Sequence, residues 1–223
     1  MKKVAFCITM YNEKDVVQHN INMIKHHYRD DSFVIVIQSD SGQTITGYDV
    51  FEVFPNLGGT INPYKLAANS VTRNYNRAFT ILYEQPNEFK YVVALTGDTY
   101  ISDILGLERL YTRMIREKKV AGVSQAIGQR FHATIDNPPD VVEGRLQYEG
   151  ISDFMPQFFI IDGEFAFRNR VFYNIEVTND FCTEQCLGDE LSKYVGEPFS
   201  RDVFILAKNA YDYGDGIEYN KND

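Results

Sequence analysis

Tyr91-Val92-Val93-Ala94-Leu95-Thr96-Gly97-Asp98-Thr99-Tyr100 is a run of apolar residues that ends in a glycine and a carboxylate. Its first five residues, all apolar or aromatic, predict a strand buried on both faces, so the acid that follows sits at the strand's carboxyl end. Open α/β sheets bind ligands at that end. A carboxylate emerging there suits a hard cation, Mg2+ or Mn2+, and through it a diphosphate. Taken alone, Thr96-Gly97-Asp98-Thr99 reads equally well as a turn and helix cap before Ile104.

Strands and helices alternate on both sides of this stretch. Residues 4–10 form a first apolar run, and Val16, Val17, Ile21, Ile24 and Tyr28 then recur at helical spacing. Residues 33–37 predict a second strand ending in Gln38-Ser39-Asp40-Ser41-Gly42, and residues 50–54 a third ending in Pro55-Asn56-Leu57-Gly58-Gly59. Residues 64–83 carry Ala67, Val71, Ala78 and Ile81 on one helical stripe with Asn74 as its polar member, and Arg73 and Arg77, one turn apart, share a face. After the quoted strand comes a helix with Ile104, Leu107, Leu110, Tyr111, Met114 and Ile115 inward, capped by Ser102 or Asp103. This alternation predicts an α/β fold with a mostly parallel sheet.

The second half is less regular. Residues 120–135 read as a strand or a long hairpin arm, broken at Asp136-Asn137-Pro138-Pro139. Residues 157–161 are another buried run, followed by Asp162-Gly163-Glu164 and the apolar-basic segment 165–170. Residues 184–194 read as helical and residues 203–207 as a last strand.

With 223 residues, the chain is long enough for a substantial core, and no linker divides it, so one domain over residues 1–223 is expected. A net charge of -9, from 31 acids against 22 bases, argues against a nucleic-acid partner. No apolar stretch approaches membrane-spanning length. Cys7, Cys182 and Cys186 fit no common zinc spacing, and three cysteines cannot all pair, which points to a reducing, cytoplasmic setting.

Several of these segments fall in a familiar order. Ile8-Thr9-Met10-Tyr11-Asn12-Glu13, Asn56-Leu57-Gly58-Gly59, Arg73-Asn74, Thr96-Gly97-Asp98, the segment 158–170 and Gly188-Asp189-Glu190-Leu191 together resemble the motifs of family 2 glycosyltransferases with a GT-A fold. The resemblance covers roughly residues 4–195 and is strongest before residue 101.

It implies a GT-A, Rossmann-like central sheet flanked by helices, with a nucleotide-sugar-binding half over about residues 1–101 and a less regular acceptor-side half over about residues 102–223. It implies a nucleotide-diphosphate sugar donor, most often uridine-linked, bound by Thr9, Tyr11, Glu13, Asp40, Asn56, Arg73, Arg77, Thr96, Gly97 and Asp98. Mn2+ or Mg2+ is then held by Asp98, and a glycan, lipid-linked or protein acceptor is deprotonated by Asp189 or, failing that, Glu190, with inversion. The residue types suit those roles: Tyr11 can stack on a flat base, Glu13 and Asp40 can accept hydrogen bonds from base or ribose, and Arg73 or Arg77 can meet a diphosphate bidentately. Asp162 and Glu164 are further acids for orienting an acceptor.

The chain departs from the family at Thr96, which stands in place of the first carboxylate of an Asp-x-Asp pair, and at Gln38-Ser39-Asp40, where paired aspartates are usual. None of its four histidines lies near the carboxyl terminus, where many such enzymes carry a metal ligand. Two other functions remain in view. One is a sugar-phosphate nucleotidyltransferase, whose glycine-rich phosphate loop this chain lacks; the other is a non-catalytic nucleotide-sugar-binding or partner-binding domain.

Overall fold

The computed structural model describes residues 2–11, 13–39, 42–54, 63–86, 88–97, 99–101, 104–126, 158–173, 187, 190–196 and 199–209, with backbone alone for 63–69, 100, 123–126, 158 and 199–209. In chain order the elements are β1 (Lys3–Met10), α1 (Lys14–Tyr28), a short 3-10 turn (Arg29–Asp31), β2 (Ser32–Ser39), β3 (Val50–Phe54), α2 (Pro63–Tyr83), β4 (Phe89–Thr96) and β5 (Thr99–Ile101). They continue with α3 (Leu105–Glu117), β6 (Ala121–Ala126), β7 (Phe158–Asp162), α4 (Gly163–Asn169) and β8 (Phe199–Asn209).

The strands form one eight-stranded sheet in the order β3-β2-β1-β4-β7-β6-β8-β5. β3, β2, β1 and β4 are mutually parallel. β7 opposes β4 and β6, β8 runs with β6, and β5 opposes β8. Only β7 and β5 therefore run against the rest, and the expected mostly parallel α/β sheet is the one observed.

β1 shows why its sequence is apolar without alternation. Ala5 and Cys7 face a cluster with Ile35, Ile37, Val92, Ala94 and the α2 residues Tyr75, Ala78, Phe79 and Leu82. Val4, Phe6, Ile8 and Met10 face the opposite cluster, with Val17, Ile21 and Ile24 of α1 and Leu107, Leu110 and Met114 of α3. Helices cover both faces, so every position of the strand from Val4 to Met10 is buried.

In α3 the N-cap is Ile104, which makes no side-chain capping bond, while Ser102 and Asp103 lie outside the described residues. Ile115, expected inward, is 53% exposed. Helical rotation explains the correction: Leu107, Leu110 and Met114 already make the buried stripe at spacings of three and four, and Ile115 turns about 100° beyond it. Of the segment 165–170, residues 165–169 belong to helix α4 and Arg170 is its left-handed C-cap. Asp162 caps that helix by accepting the Phe165 N–H at 2.8 Å, and Gly163 follows because a Cβ there would stand 2.1 Å from the Phe89 carbonyl oxygen. β6 covers the start of the stretch read as a strand or hairpin arm; residues 127–157 lie outside the described residues. Among the described residues, no helix is long and apolar enough to cross a membrane.

Candidate functional site

Parallel pairing brings the carboxyl ends of β1, β2, β3 and β4 to one edge of the sheet. Thr9 stands opposite Thr96, Met10 opposite Gln38, and Ser39 opposite Phe54. Chain order reverses between β1, whose crossover leads to β2, and β4 on its other side. The crevice at their ends is the topological switch point.

Four predicted residues meet there. Gly97 backs directly onto the end of β1: a Cβ at this position would lie 2.8 Å from Glu13 Oε2, 2.9 Å from the Thr9 carbonyl oxygen and 3.2 Å from Met10 Cα. Contacts under 3.0 Å exclude any side chain without displacement, so residue 97 is glycine for lack of room. Glu13 Oε2 also accepts the Tyr11 N–H at 2.7 Å. Tyr11 is 40% exposed at the rim, an aromatic surface open to a ligand. Thr9 is buried beneath it.

Thr96 and Thr99 share a hydroxyl–hydroxyl hydrogen bond of 2.9 Å across the turn. Beyond it, β5 is fastened to α1 by a side chain that belongs to none of the sequence motifs. Asn20, fully buried, donates to the Thr99 carbonyl at 2.7 Å and accepts from the Ile101 N–H at 3.1 Å. Its signal was present in the sequence as an amide on the apolar stripe of α1, between Val16, Val17, Ile21 and Ile24.

On the other side of β1, α2 runs back from the carboxyl edge. The amide of Asn74, buried, donates to Ser39 Oγ at 2.7 Å and so tethers α2 to the end of β2. The Arg73 guanidinium carbon lies 4.4 Å from the centre of the Phe54 ring, at the end of β3, and burial lowers its pKa from the usual value. Arg77, one turn further from that edge, is held by Glu52 through two bonds of 2.7 Å. Hydrogen bonding to Arg77 holds the Glu52 carboxyl below the ordinary carboxylate range, and the same bonds raise the Arg77 guanidinium. The structure therefore separates the two arginines: Arg73 lies beside the last residue of β3, and Arg77 forms an ion pair two residues back.

Asp40, Asn56, Asp98 and Asp189 lie outside the described residues. Glu190 sits in a helical stretch whose neighbours Leu187 and Leu191 pack into the α2-side core, and it is ion-paired with Lys193. The antiparallel course of β7 sets Asp162 opposite Tyr91 and Phe158 opposite Leu95. Asp162, with Glu164 after it, thus lies at the amino end of β4, across the sheet from the crevice. Asp162 is occupied in capping α4, and Glu164 pairs with Arg168. Their expected acceptor role does not fit this placement.

Two oxygens approach the Gly97 turn, Glu13 Oε2 and the Thr9 carbonyl, and oxygen is the donor type that a divalent cation takes. Among the described residues, no group of three or more His, Cys, Asp or Glu is arranged to hold a metal.

No model of a known protein family matches the chain, and no curated protein matches it in sequence. Solved structures do. A mannosyltransferase, PcManGT from Pyrobaculum calidifontis, in complex with GDP-Man and Mn2+, superposes with a TM-score of 0.56 at 13% identity over 97% of this chain and 59% of its own. Glucosyl-3-phosphoglycerate synthase from Mycobacterium tuberculosis, with Mg2+ and uridine diphosphate, gives 0.57 at 13% over 93% of this chain and 71% of its own. The same enzyme with phosphoglyceric acid gives 0.56 at 13%. This chain thus spans little more than half of the first structure and about seven-tenths of the second. At such identity the likeness defines the fold, which is GT-A, as the sequence motifs led us to expect.

Proposed function

We propose, from the premise of a GT-A fold, that the chain binds a nucleotide-diphosphate sugar, uridine-linked in the first instance, at the β1–β4 crevice and transfers its sugar to an acceptor hydroxyl with inversion. The observation that carries this reading is the crevice itself, where exposed Tyr11, the Glu13 carboxylate and the cramped Gly97 turn stand at the switch point of the sheet. Its support from similar structures is that they hold GDP-Man or uridine diphosphate with Mn2+ or Mg2+.

In this reading Tyr11 stacks on the base, Thr9, Asp40 and Asn56 line the nucleoside side, and Arg73 meets the diphosphate. Asp98 would hold the cation. A divalent ion bound there supplies positive charge for the leaving diphosphate. Asp189, or Glu190 in its place, takes the proton from the acceptor hydroxyl as its oxygen attacks the anomeric carbon. Arg77 has its guanidinium engaged by Glu52 and contributes to the fold of β3 and α2.

Calorimetric titration with nucleoside diphosphates and their sugars, with and without Mn2+, tests the reading. Metal-dependent binding of at least one of them is expected, and absence of binding across the set refutes it. A second reading, donor binding without transfer, is favoured by Thr96, which stands in place of the first carboxylate of an Asp-x-Asp pair. Release of free sugar or of a glycosylated acceptor from the bound donor separates the two.

A further inference from the structure

The proposed donor site rests on two loops from different strands, the one after β1 that carries Tyr11 and the turn after β4 that carries Gly97. A single side chain reaches both. Glu13 occupies the N-cap of α1, where a side chain ordinarily accepts from the N–H groups of its own helix, yet it makes no such bond. Its Oε2 instead turns back to accept the Tyr11 N–H at 2.7 Å. The same oxygen occupies the space beside Gly97, 2.8 Å from where a Cβ would stand. The Lys14 N–H at the helix start is accepted by Gln43 at 3.1 Å instead, which leaves the Glu13 carboxylate to the two loops.

We infer that Glu13 is a positioning residue that fixes the aromatic surface at Tyr11 relative to the diphosphate-side turn at Gly97. The inference rests on the donor-site reading and deepens it. A nucleoside engages mainly the Tyr11 loop, whereas a nucleoside diphosphate must engage both loops at once, so the bridge selects for the diphosphate. A Cβ at residue 97 would crowd both the Glu13 carboxylate and the Thr9 carbonyl oxygen, so the glycine leaves room for the carboxylate beside the end of β1.

Calorimetric titration of uridine, uridine diphosphate and guanosine diphosphate, the diphosphates with Mn2+, into wild type, Glu13→Ala, Glu13→Gln and Gly97→Ala tests it. Glu13→Ala is expected to weaken diphosphate binding about tenfold, the scale of one lost charged hydrogen bond, with a smaller effect on uridine. Glu13→Gln retains an oxygen that accepts from Tyr11 and recovers most of that loss. Gly97→Ala leaves Glu13 in the chain but crowds both its carboxylate and the Thr9 carbonyl, and is expected to weaken diphosphate binding at least as much as Glu13→Ala. Circular dichroism melting distinguishes these effects from unfolding, since Glu13→Gln retains the wild-type melting temperature. Equal affinity of wild type and Glu13→Ala overturns the inference, as does a Glu13→Gln variant as weak as Glu13→Ala. Failure of the wild type to bind any diphosphate is a different result, which overturns the donor-site reading and this inference with it.

Discussion

Arg73 and Arg77 show how much a single helical turn decides. Both were candidates for a diphosphate because they share a face of α2, and spacing alone could not rank them. The neighbouring strand does: Glu52, two residues before the end of β3, takes both hydrogen bonds that Arg77 offers it, while Arg73 lies against the terminal Phe54. Replacing Arg73 with Ala should weaken nucleoside diphosphate binding by about 1.5–3 kcal/mol and nucleoside binding far less, whereas Arg77→Ala should leave both unchanged in calorimetric titration. The ion pair also carries a pH signature. The Glu52 carboxyl is lowered in the folded protein from its ordinary value of 4.5, so its contribution is present above that pH and is lost as pH falls through the lower, folded value. Acid unfolding followed by circular dichroism should begin at a higher pH in Arg77→Ala than in wild type, by a small margin because the pair is partly exposed.

At the scale of elements, the doubly covered strands and amphipathic helices of the first half were legible because apolar runs and helical stripes report burial directly. Predicted residues 50–54 coincide with β3, and the apolar run from Tyr91 to Leu95 lies within β4. β5 was not legible. Its three residues, Thr99–Ile101, carry no pattern of their own and owe their strand to pairing with Lys208, Asn209 and Ala207, more than a hundred positions away. The course of β7 was also hidden, because a buried run has the same composition whichever way it points, and direction decided the fate of Asp162 and Glu164. What secures β5 on its inner side is Asn20. Asn20→Ala leaves a buried carbonyl and a buried N–H without their partner, each costing about 1–3 kcal/mol, so we expect a loss of about 2 kcal/mol or more in urea unfolding. Because Thr99 is hydrogen-bonded to Thr96, the variant should also weaken nucleoside diphosphate binding.

Across the whole molecule, the sheet separates chemistry from support. The carboxyl edge gathers Tyr11, Glu13, Gly97 and Arg73. The amino edge holds a network in which the Tyr91 hydroxyl donates to Glu108, Lys90 meets the same carboxylate and Tyr28 bonds to Tyr91, with burial raising both phenols above their usual range. Asp162 belongs to this edge, where it accepts from Tyr111 at 3.3 Å and caps α4. From Tyr91, its partner, to Thr96 is five residues of strand, or roughly 17 Å at about 3.3 Å per residue. No carboxylate at that distance can take a proton from an acceptor at the crevice. The base is therefore sought at Asp189 and Glu190, and the three acids should respond differently. Asp162→Ala should cost about 0.5–2 kcal/mol of stability, the worth of a cap, and leave transfer per folded molecule unchanged. Asp189→Asn should retain donor affinity and lower transfer by roughly 10²–10⁴. If Glu190→Gln shows that loss and Asp189→Asn does not, Glu190 is the base and its pairing with Lys193 must open for catalysis. Full transfer by both variants assigns the pair a structural role, and the proton is then taken by another residue of the acceptor side.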